Sequence, residues 1–170
     1  MFDLSGKTAL VTGASGGIGS KIVTALHGQG AKVILHGTRA DRLASLQGSF
    51  GERAYCLPAD LSDREAVTKI METAAELAGP VDILVNNAAA LTRRAPVTEL
   101  SLDEWQRAIS VNLTGAFLLS KMVIPQMQAL GSGVIINIAS QLGHVAIKGA
   151  VPYCTTKGGM LQFTRTLALD

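Results

Sequence analysis

Cysteine, aromatic residues and charge are all scarce in this chain of 170 residues. The two cysteines, Cys56 and Cys154, lie far apart and match neither a disulfide framework nor a metal-ligand spacing, which predicts reduced thiols and no metal site. Fifteen basic residues against thirteen acidic ones give a formal charge of +2. This near balance favours neither a nucleic-acid surface nor a polybasic membrane contact.

Long apolar runs and targeting signals are missing as well. No uninterrupted apolar run reaches the roughly 18 residues that a membrane-spanning helix needs. The first residues, Met1–Gly6, lack the basic and apolar regions of a secretion signal. We therefore expect a cytoplasmic protein with no membrane partner. Because the sequence also shows no repeat, linker or low-complexity tract, it predicts one domain over residues 1–170.

Short apolar runs alternate with longer segments of helical periodicity. The strand candidates are apolar nearly throughout, as strands covered on both faces are: Thr8–Thr12, Lys32–His36, Ala54–Leu57, Val81–Asn86 and Val134–Ala139. The helix candidates are Gly17–Gly28, Asp41–Gln47, Asp63–Ala78, Leu102–Ala129 and Pro152–Leu169. Because right-handed crossovers place helices on both faces of a parallel sheet, this order predicts a doubly wound α/β fold.

Two helix starts carry the S-x-x-E pattern of a capping box, in which a serine and a glutamate satisfy free backbone amides. The pairs are Ser62 with Glu65, and Ser101 with Glu104. We expect one helix to begin after each serine.

Glycine is plentiful, with 18 residues, and one cluster joins the first predicted strand to the first predicted helix. This segment reads Thr12-Gly13-Ala14-Ser15-Gly16-Gly17-Ile18-Gly19. Glycine there permits positive φ and lets a pyrophosphate approach the backbone, while free N–H groups and the helix dipole favour the anion. The segment predicts a dinucleotide site, with an ordinary glycine turn as the alternative.

The second predicted strand ends in Leu35-His36-Gly37-Thr38-Arg39 and lacks the Asp or Glu that would bind a free ribose 2′-hydroxyl. Arg39 suits a 2′-phosphate, so we expect NADP(H) in preference to NAD(H). A solvated surface charge is the alternative for Arg39. Asp60 follows the third predicted strand, where it would meet an adenine amino group or serve as a turn residue.

Tyr153 and Lys157 lie four residues apart on the last predicted helix, so they face the same way. Pro152 is a permitted first residue for this helix. A neighbouring cation favours the phenolate form of a tyrosine and equips it for acid/base work. Ser140 follows Val134–Ala139, at the edge where open α/β sheets bind ligands. Asn112 interrupts a good helical pattern, where an amide side chain has no propensity reason to be.

Together these residues resemble the classical short-chain dehydrogenases/reductases. The resemblance covers the whole chain and rests on motifs in family order and spacing: Thr12-Gly13-x-x-x-Gly17-x-Gly19, Asn86-Asn87-Ala88, Asn112, Ser140 and Tyr153-x-x-x-Lys157. It implies a Rossmann fold and an oxidoreductase that moves a hydride between NADP(H) or NAD(H) and a carbonyl or secondary alcohol. The first part is most similar to bacterial 3-oxoacyl-carrier-protein reductases, which implies a 3-oxoacyl thioester. Sugar, polyol and steroid-like alcohols stay open as substrates.

The resemblance also implies a role for each site residue. Tyr153 would be the general acid/base on the substrate oxygen, and Ser140 would hydrogen-bond that oxygen. Lys157 would hold the nicotinamide ribose and stabilise the phenolate, while Asn112 would help hold a water in a proton relay. The implied cofactor-binding residues are Gly13, Ser15, Gly16, Gly17, Ile18, Gly19, Arg39, Asp60, Leu61, Asn87, Ala88, Tyr153 and Lys157.

The sequence departs from the family pattern in two places. Ala89 stands where the family usually has glycine, and a positive φ there would strain an alanine. The chain also ends at Asp170, before the last two strands and the substrate lid of the family. We therefore expect the C-terminal part of the fold to be absent and Val134–Ala139 to form an exposed apolar edge. A fragment, an incompletely described chain and a natural truncation are the alternatives.

Family members assemble through the long helix and the helix after Tyr153, which implies a homodimer or homotetramer through residues 102–129 and that helix. The candidate contact residues are Val111, Phe117, Leu118, Met122 and Met160, with core packing as the alternative.

Two other functions stay open. One is a non-catalytic dinucleotide-binding module, and the other is a SAM-dependent methyltransferase, which shares the glycine turn but needs no Tyr-Lys pair.

Overall fold

The computed structural model describes residues 2–170 and is built on a five-stranded parallel sheet. The strands are β1 (Thr8–Thr12), β2 (Lys32–Gly37), β3 (Ala54–Pro58), β4 (Ile83–Asn86) and β5 (Val134–Asn137). Their order in the sheet is β3-β2-β1-β4-β5. The chain thus moves outward from β1 to β3 and then returns to the other side of β1. This reversal leaves a crevice above the carboxyl ends of β1 and β4, where such sheets bind ligands.

In the described part of the chain six α-helices cover the sheet, and the predicted doubly wound arrangement is confirmed. They are α1 (Gly17–Gly28), α2 (Ala40–Gly48), α3 (Arg64–Ala78), α4 (Leu102–Ile109), α5 (Gly115–Ala129) and α6 (Val151–Leu167). Successive strand residues point to opposite faces of the sheet. Leu10 and Ile34 therefore enter the core beneath α3 and α5, whereas Val11 and Leu35 enter the core beneath α1 and α2.

The start of α3 differs from the prediction, because Ser62 and Glu65 do not form a capping box. Asp63 is the N-cap, and its carboxylate accepts hydrogen bonds from the amides of Glu65 and Ala66. The Ser62 hydroxyl instead donates to Asp60 at 2.8 Å. A carboxylate directly before the helix is a stronger acceptor than a hydroxyl one residue earlier, so it takes the cap. The second predicted capping box, Ser101 with Glu104, is confirmed.

The predicted helix Leu102–Ala129 is continuous, but it contains a π-helical turn at Ser110–Thr114 between α4 and α5. By length and composition this helix could cross a membrane. Its hydropathy is accounted for by packing, because the side chains of Leu119, Val123 and Met127 are buried in the core beside the sheet. A search for uninterrupted apolar runs therefore does not detect a helix whose apolar residues are interspersed with a few polar ones.

For two of the five candidate contact residues of an oligomer, the predicted position on the surface is wrong. Val111 and Met160 are buried, with 9% and 2% of their surface exposed, so core packing explains them. Phe117 is 45% exposed and lies edge-on to Phe163 of α6. Leu118 and Met122 are partly buried against the core.

Strand β5 lies at the edge of the sheet, as predicted. It ends at Asn137, two residues earlier than the apolar run of the sequence. The amide of Ile138 still donates to the Asn86 carbonyl oxygen at 2.9 Å. Beyond this point the chain bends into the crevice. Val134 and Ile136 are each about half exposed, at 51% and 42%.

Candidate functional site

A cleft of about 540 Å³ runs along the carboxyl ends of the central strands. It is lined by every residue that the sequence predicted to bind a cofactor: Gly13, Ser15, Gly16, Gly17, Ile18, Gly19, Arg39, Asp60, Leu61, Asn87, Ala88, Tyr153 and Lys157. The predicted catalytic residues Ser140 and Asn112 lie outside this lining. The fold therefore brings the glycine turn and the Tyr-Lys pair into one cleft.

The glycine turn between β1 and α1 leaves no room for side chains at two positions. Gly13 has φ +64°, and a Cβ there would lie 2.9 Å from the Ala88 Cα atom. A Cβ at Gly19 would overlap the carbonyl oxygen of Gly13. Within the described chain no side chain caps the start of α1. Its first amides therefore remain free to bind an anion in the cleft.

The loop after β4 is fastened to the glycine turn. The Asn87 side-chain amide donates to the carbonyl oxygens of Thr12 and Gly13, at 2.8 and 3.2 Å. The Thr12 hydroxyl in turn accepts from the amides of Asn87 and Ala88, at 2.9 and 3.0 Å. Asn86 points the other way and donates to Asn137 of β5 at 2.8 Å. These side chains hold the cleft floor in one geometry.

Ala89 causes no backbone strain. Among residues 2–170, Arg53 is the only non-glycine residue with a positive φ. The strain considered for Ala89 is therefore absent, since its φ is compatible with a side chain. Ala89 is exposed and lines the cleft, so its methyl group adds bulk there instead of distorting the loop.

Arg39 and Asp60 mark the end of the cleft next to β2 and β3. Arg39 is exposed and forms no ion pair within the part of the chain described. Asp60 accepts hydrogen bonds from the amide and hydroxyl of Ser62, at 2.9 and 2.8 Å. Burial opposes the charge on Asp60, but these hydrogen bonds and the nearby Arg107 outweigh burial and lower its pKa.

His36 is the second-to-last residue of β2, lies beneath this region and is 1% exposed. Neither ring nitrogen has a hydrogen-bond partner among residues 2–170. Burial disfavours the imidazolium and lowers the pKa of His36 to about 4, although the Asp60 carboxylate acts in the opposite direction. His36 is therefore a neutral polar group at physiological pH.

Tyr153 and Lys157 occupy the other end of the cleft, on the first two turns of α6. Lys157 is 3% exposed, and its ammonium donates to the carbonyl oxygen of Ile138 at 2.6 Å. The ammonium lies 5.8 Å from the centre of the Tyr153 ring. Burial lowers the pKa of Lys157. The predicted pairing of phenol and cation on one helix face is present.

Asn112 lies in the π-helical turn and is buried, with 1% of its surface exposed. Its side-chain oxygen accepts from the Ala90 amide at 2.6 Å, while its nitrogen donates to the Ala90 carbonyl oxygen and the Thr156 hydroxyl, both at 3.1 Å. The Thr156 hydroxyl donates to the Tyr153 carbonyl oxygen at 3.0 Å. Asn112 thus ties the β4 loop to α6.

Ser140 precedes a short 3₁₀ turn, Gln141–Gly143, and its hydroxyl oxygen accepts from the Leu142 amide at 3.1 Å. This contact orients the hydroxyl while leaving its proton free to donate. The roles predicted for Ser140 and Asn112 stay predictions.

Sequence reasoning missed two charged or titratable residues that line the cleft, His36 and Arg107. His36 belongs to the segment Leu35–Arg39 that predicts the cofactor preference. A histidine inside an otherwise apolar strand is the feature that could have indicated a buried polar group in the cleft. Arg107 carried no sequence signal, because only folding brings α4 beside Asp60. Residues 2–170 contain no group of three or more His, Cys, Asp or Glu side chains that could hold a metal ion.

Comparison with known proteins matches residues 7–170 to the family model described as short chain dehydrogenase. The chain is 44% identical to nodulation protein G of Rhizobium sp. strain N33, covering 100% of this chain and 69% of that protein. It is 37% identical to a 3-oxoacyl-[acyl-carrier-protein] reductase of Aquifex aeolicus, covering 98% of this chain and 68% of that protein. The chain thus spans about two thirds of the length of these relatives.

Solved structures agree with the sequence relatives. A gluconate 5-dehydrogenase from Burkholderia cenocepacia, in complex with NADP and tartrate, matches with a TM-score of 0.90 and 33% identity. The match covers 99% of this chain and 67% of that one. The predicted family and Rossmann fold are confirmed. The chain belongs to the short-chain dehydrogenase/reductase family, NAD(P)-dependent oxidoreductases that act on alcohol and carbonyl groups.

Proposed function

We propose that the chain is an NADP(H)-dependent reductase or dehydrogenase, with Tyr153 as its general acid/base. One observation carries the proposal. A single cleft is lined by Arg39, by the glycine turn and by the Tyr153–Lys157 pair. A dinucleotide bound along the cleft would lie with its phosphates at the turn and its nicotinamide beside the phenol.

The cleft fits such a cofactor in several respects. The open start of α1 offers amides to the pyrophosphate, while Leu61 and Asp60 would border the adenine. Asn87 and Ala88 form the floor against which the cofactor would lie. When bound, the nicotinamide supplies or accepts the hydride. Every other requirement, namely orientation, water exclusion and proton transfer, falls to the protein.

Proton transfer is assigned to the residues around Tyr153. In the reducing direction the phenol donates its proton to the substrate carbonyl oxygen, and the Ser140 hydroxyl hydrogen-bonds the same oxygen. Lys157 stabilises the resulting phenolate and holds the nicotinamide ribose. Asn112 keeps the β4 loop and α6 in register, and it would help hold the relay water behind Lys157.

NADP(H) is proposed over NAD(H) because of the charges near β2. The segment after His36 reads Gly37-Thr38-Arg39, so the end of β2 supplies no carboxylate for a free ribose 2′-hydroxyl. Arg39 is exposed and unpaired within residues 2–170, which suits it to a 2′-phosphate. The NADP complex of the Burkholderia dehydrogenase adds support from a relative.

For the substrate we propose a 3-oxoacyl thioester. Several of the side chains that line the cleft are apolar, among them Ala89, Ala90, Leu91, Ile138 and Ala139. Such a surface suits an acyl chain better than a polyol, whose hydroxyl groups need hydrogen-bond partners. A sugar acid or polyol is the second candidate, favoured by the similarity to gluconate 5-dehydrogenase.

We further propose that residues 1–170 form one dinucleotide-binding domain, located in the cytoplasm. A homo-oligomer would use the outer face of α4–α5 together with α6. Phe117 and Phe163 support this face, because their rings lie together and Phe117 is 45% exposed.

The decisive experiment compares the parent protein with Tyr153→Phe. NADPH oxidation is followed by absorbance with acetoacetyl thioester and, separately, with keto-sugar acids, and NADPH affinity is measured by fluorescence. We expect Tyr153→Phe to lose at least about a hundredfold in turnover, because it removes the acid/base group. Its NADPH affinity should remain within a few-fold of the parent.

Three outcomes contradict parts of the proposal. Equal turnover in Tyr153→Phe would remove the phenol from the mechanism. NADPH binding with no turnover on any substrate would indicate a non-catalytic module. Absence of nicotinamide binding would exclude both, and would leave another adenosine-containing cofactor such as SAM to be tested.

A further inference from the structure

Two residues hold the Asp60 carboxylate from different sides. Its Oδ1 atom accepts from the Ser62 amide and hydroxyl, at 2.9 and 2.8 Å. Its Oδ2 atom lies 3.6 Å from Nη1 of Arg107 on α4. The same guanidinium nitrogen donates to the Ser62 hydroxyl oxygen at 3.3 Å. The three side chains form one network at the wall of the cleft.

We propose that Arg107 is a positioning residue for cofactor recognition: it orients Oδ2 of Asp60 toward the 6-amino group of adenine and so selects adenine over a 6-oxopurine. This inference rests on the proposed dinucleotide function. With Oδ1 occupied by two donors from Ser62, Oδ2 is the carboxylate oxygen with acceptor capacity left for a ligand. Arg107 fixes the direction in which the Oδ2 atom of Asp60 points.

The ion pair itself contributes little to stability. The side chains of Arg107 and Asp60 are 57% and 38% exposed, and ion pairs at such exposure are screened by solvent. What the contact supplies is orientation, because an aspartate without it could rotate Oδ2 into solvent. Both residues line the cleft, so a change in this orientation reaches a bound ligand directly.

Arg107 is held in place from both ends of its helix. The capping box of Ser101 and Glu104 fixes the start of α4, and Arg93 binds Glu104 there. Five residues beyond Arg107, Asn112 clamps the helix to the Ala90 backbone. The guanidinium therefore approaches Asp60 from a rigid support.

Direct phosphate binding explains Arg107 less well. A phosphate beside Arg107 would also lie beside the Asp60 carboxylate, which repels it. Arg39 has no such carboxylate within 4 Å among residues 2–170. Arg39 is thus suited to bind the 2′-phosphate, whereas Arg107 acts through Asp60.

The test compares two cofactors that differ only at the purine 6-position. Fluorescence titration gives the affinity of the parent protein for NADPH and for reduced nicotinamide hypoxanthine dinucleotide phosphate. The latter carries a 6-oxo acceptor that would face Oδ2. We expect the parent to prefer NADPH about tenfold, the size of one hydrogen bond to a charged group.

Arg107→Met should reduce this preference to about threefold or less, mainly by weakening NADPH binding. Arg107→Lys, which keeps the charge, should restore part of the preference. Arg64→Met is the matched control, because Arg64 is exposed at the start of α3 and does not line the cleft. We expect the control to retain the parent preference.

Each other result overturns the inference in a recognisable way. If Arg107→Met weakens both cofactors equally, Arg107 acts on a phosphate or on stability, not through Asp60. If the parent binds both cofactors with the same affinity, Asp60 does not recognise the 6-amino group, although the dinucleotide function stands. If the parent binds neither cofactor, the proposed function itself fails.

Discussion

Replacing His36 by leucine should change how the stability of this protein depends on pH. The His36 ring is 1% exposed, and both of its nitrogens lack a partner among residues 2–170. Leucine has a similar size and no polar atoms. At neutral pH the substitution should therefore preserve or raise the free energy of unfolding, because it removes a buried polar group without hydrogen bonds.

The acid range gives the larger effect. Burial lowers the pKa of His36 to about 4 in the folded protein, against about 6.5 for an ordinary histidine. Between these values the unfolded chain binds a proton that the folded protein rejects, so stability falls as pH falls. A difference of about 2.5 pKa units corresponds to about 3 kcal/mol lost from pH 6.5 to pH 4. Below pH 4 both states are protonated and the loss stops.

Urea denaturation at several pH values between 7 and 4, followed by the fluorescence of the single tryptophan, Trp105, measures this loss. Other groups contribute equally to parent and His36→Leu, so the difference between the two proteins isolates His36. His144→Leu, which removes an exposed imidazole instead, is the control and should follow the parent. If His36→Leu loses as much stability as the parent between pH 6.5 and 4, His36 is not a buried neutral group and the argument is wrong.

The remaining predictions concern the cofactor cleft. Arg39→Asp should shift the ratio of kcat/KM values from NADP(H) toward NAD(H) by at least about tenfold, since a carboxylate repels the 2′-phosphate and suits a free ribose; an unchanged ratio removes Arg39 from that site. Gly19→Ala should lower the free energy of unfolding by about 1–3 kcal/mol, because its Cβ overlaps the Gly13 carbonyl oxygen, whereas Gly17→Ala, with open space around the added atom, should not. Ala89→Gly should leave NADPH affinity within about threefold of the parent, and a much larger gain would mean that the Ala89 methyl obstructs the cofactor.

Local features of the fold followed from the sequence. The bounds of β1 and α1 agree with the predicted Thr8–Thr12 and Gly17–Gly28, because apolar strands and the glycine turn are short-range patterns. The capping box at Ser101 followed in the same way. At Ser62 local reasoning failed, since Asp60 accepts from the Ser62 hydroxyl and Asp63 takes the Glu65 amide.

Which distant residues meet was decided by the tertiary structure. The sequence placed Tyr153 and Lys157 on one helix face, but the sheet order brought that face to the glycine turn, more than 130 residues earlier in the chain. Packing also decided which apolar residues are buried, as Val111 and Met160 show, and it placed Arg107 beside Asp60. Periodicity reports the environment of a residue only relative to its own helix or strand, so contacts between elements depend on the packing of the whole chain.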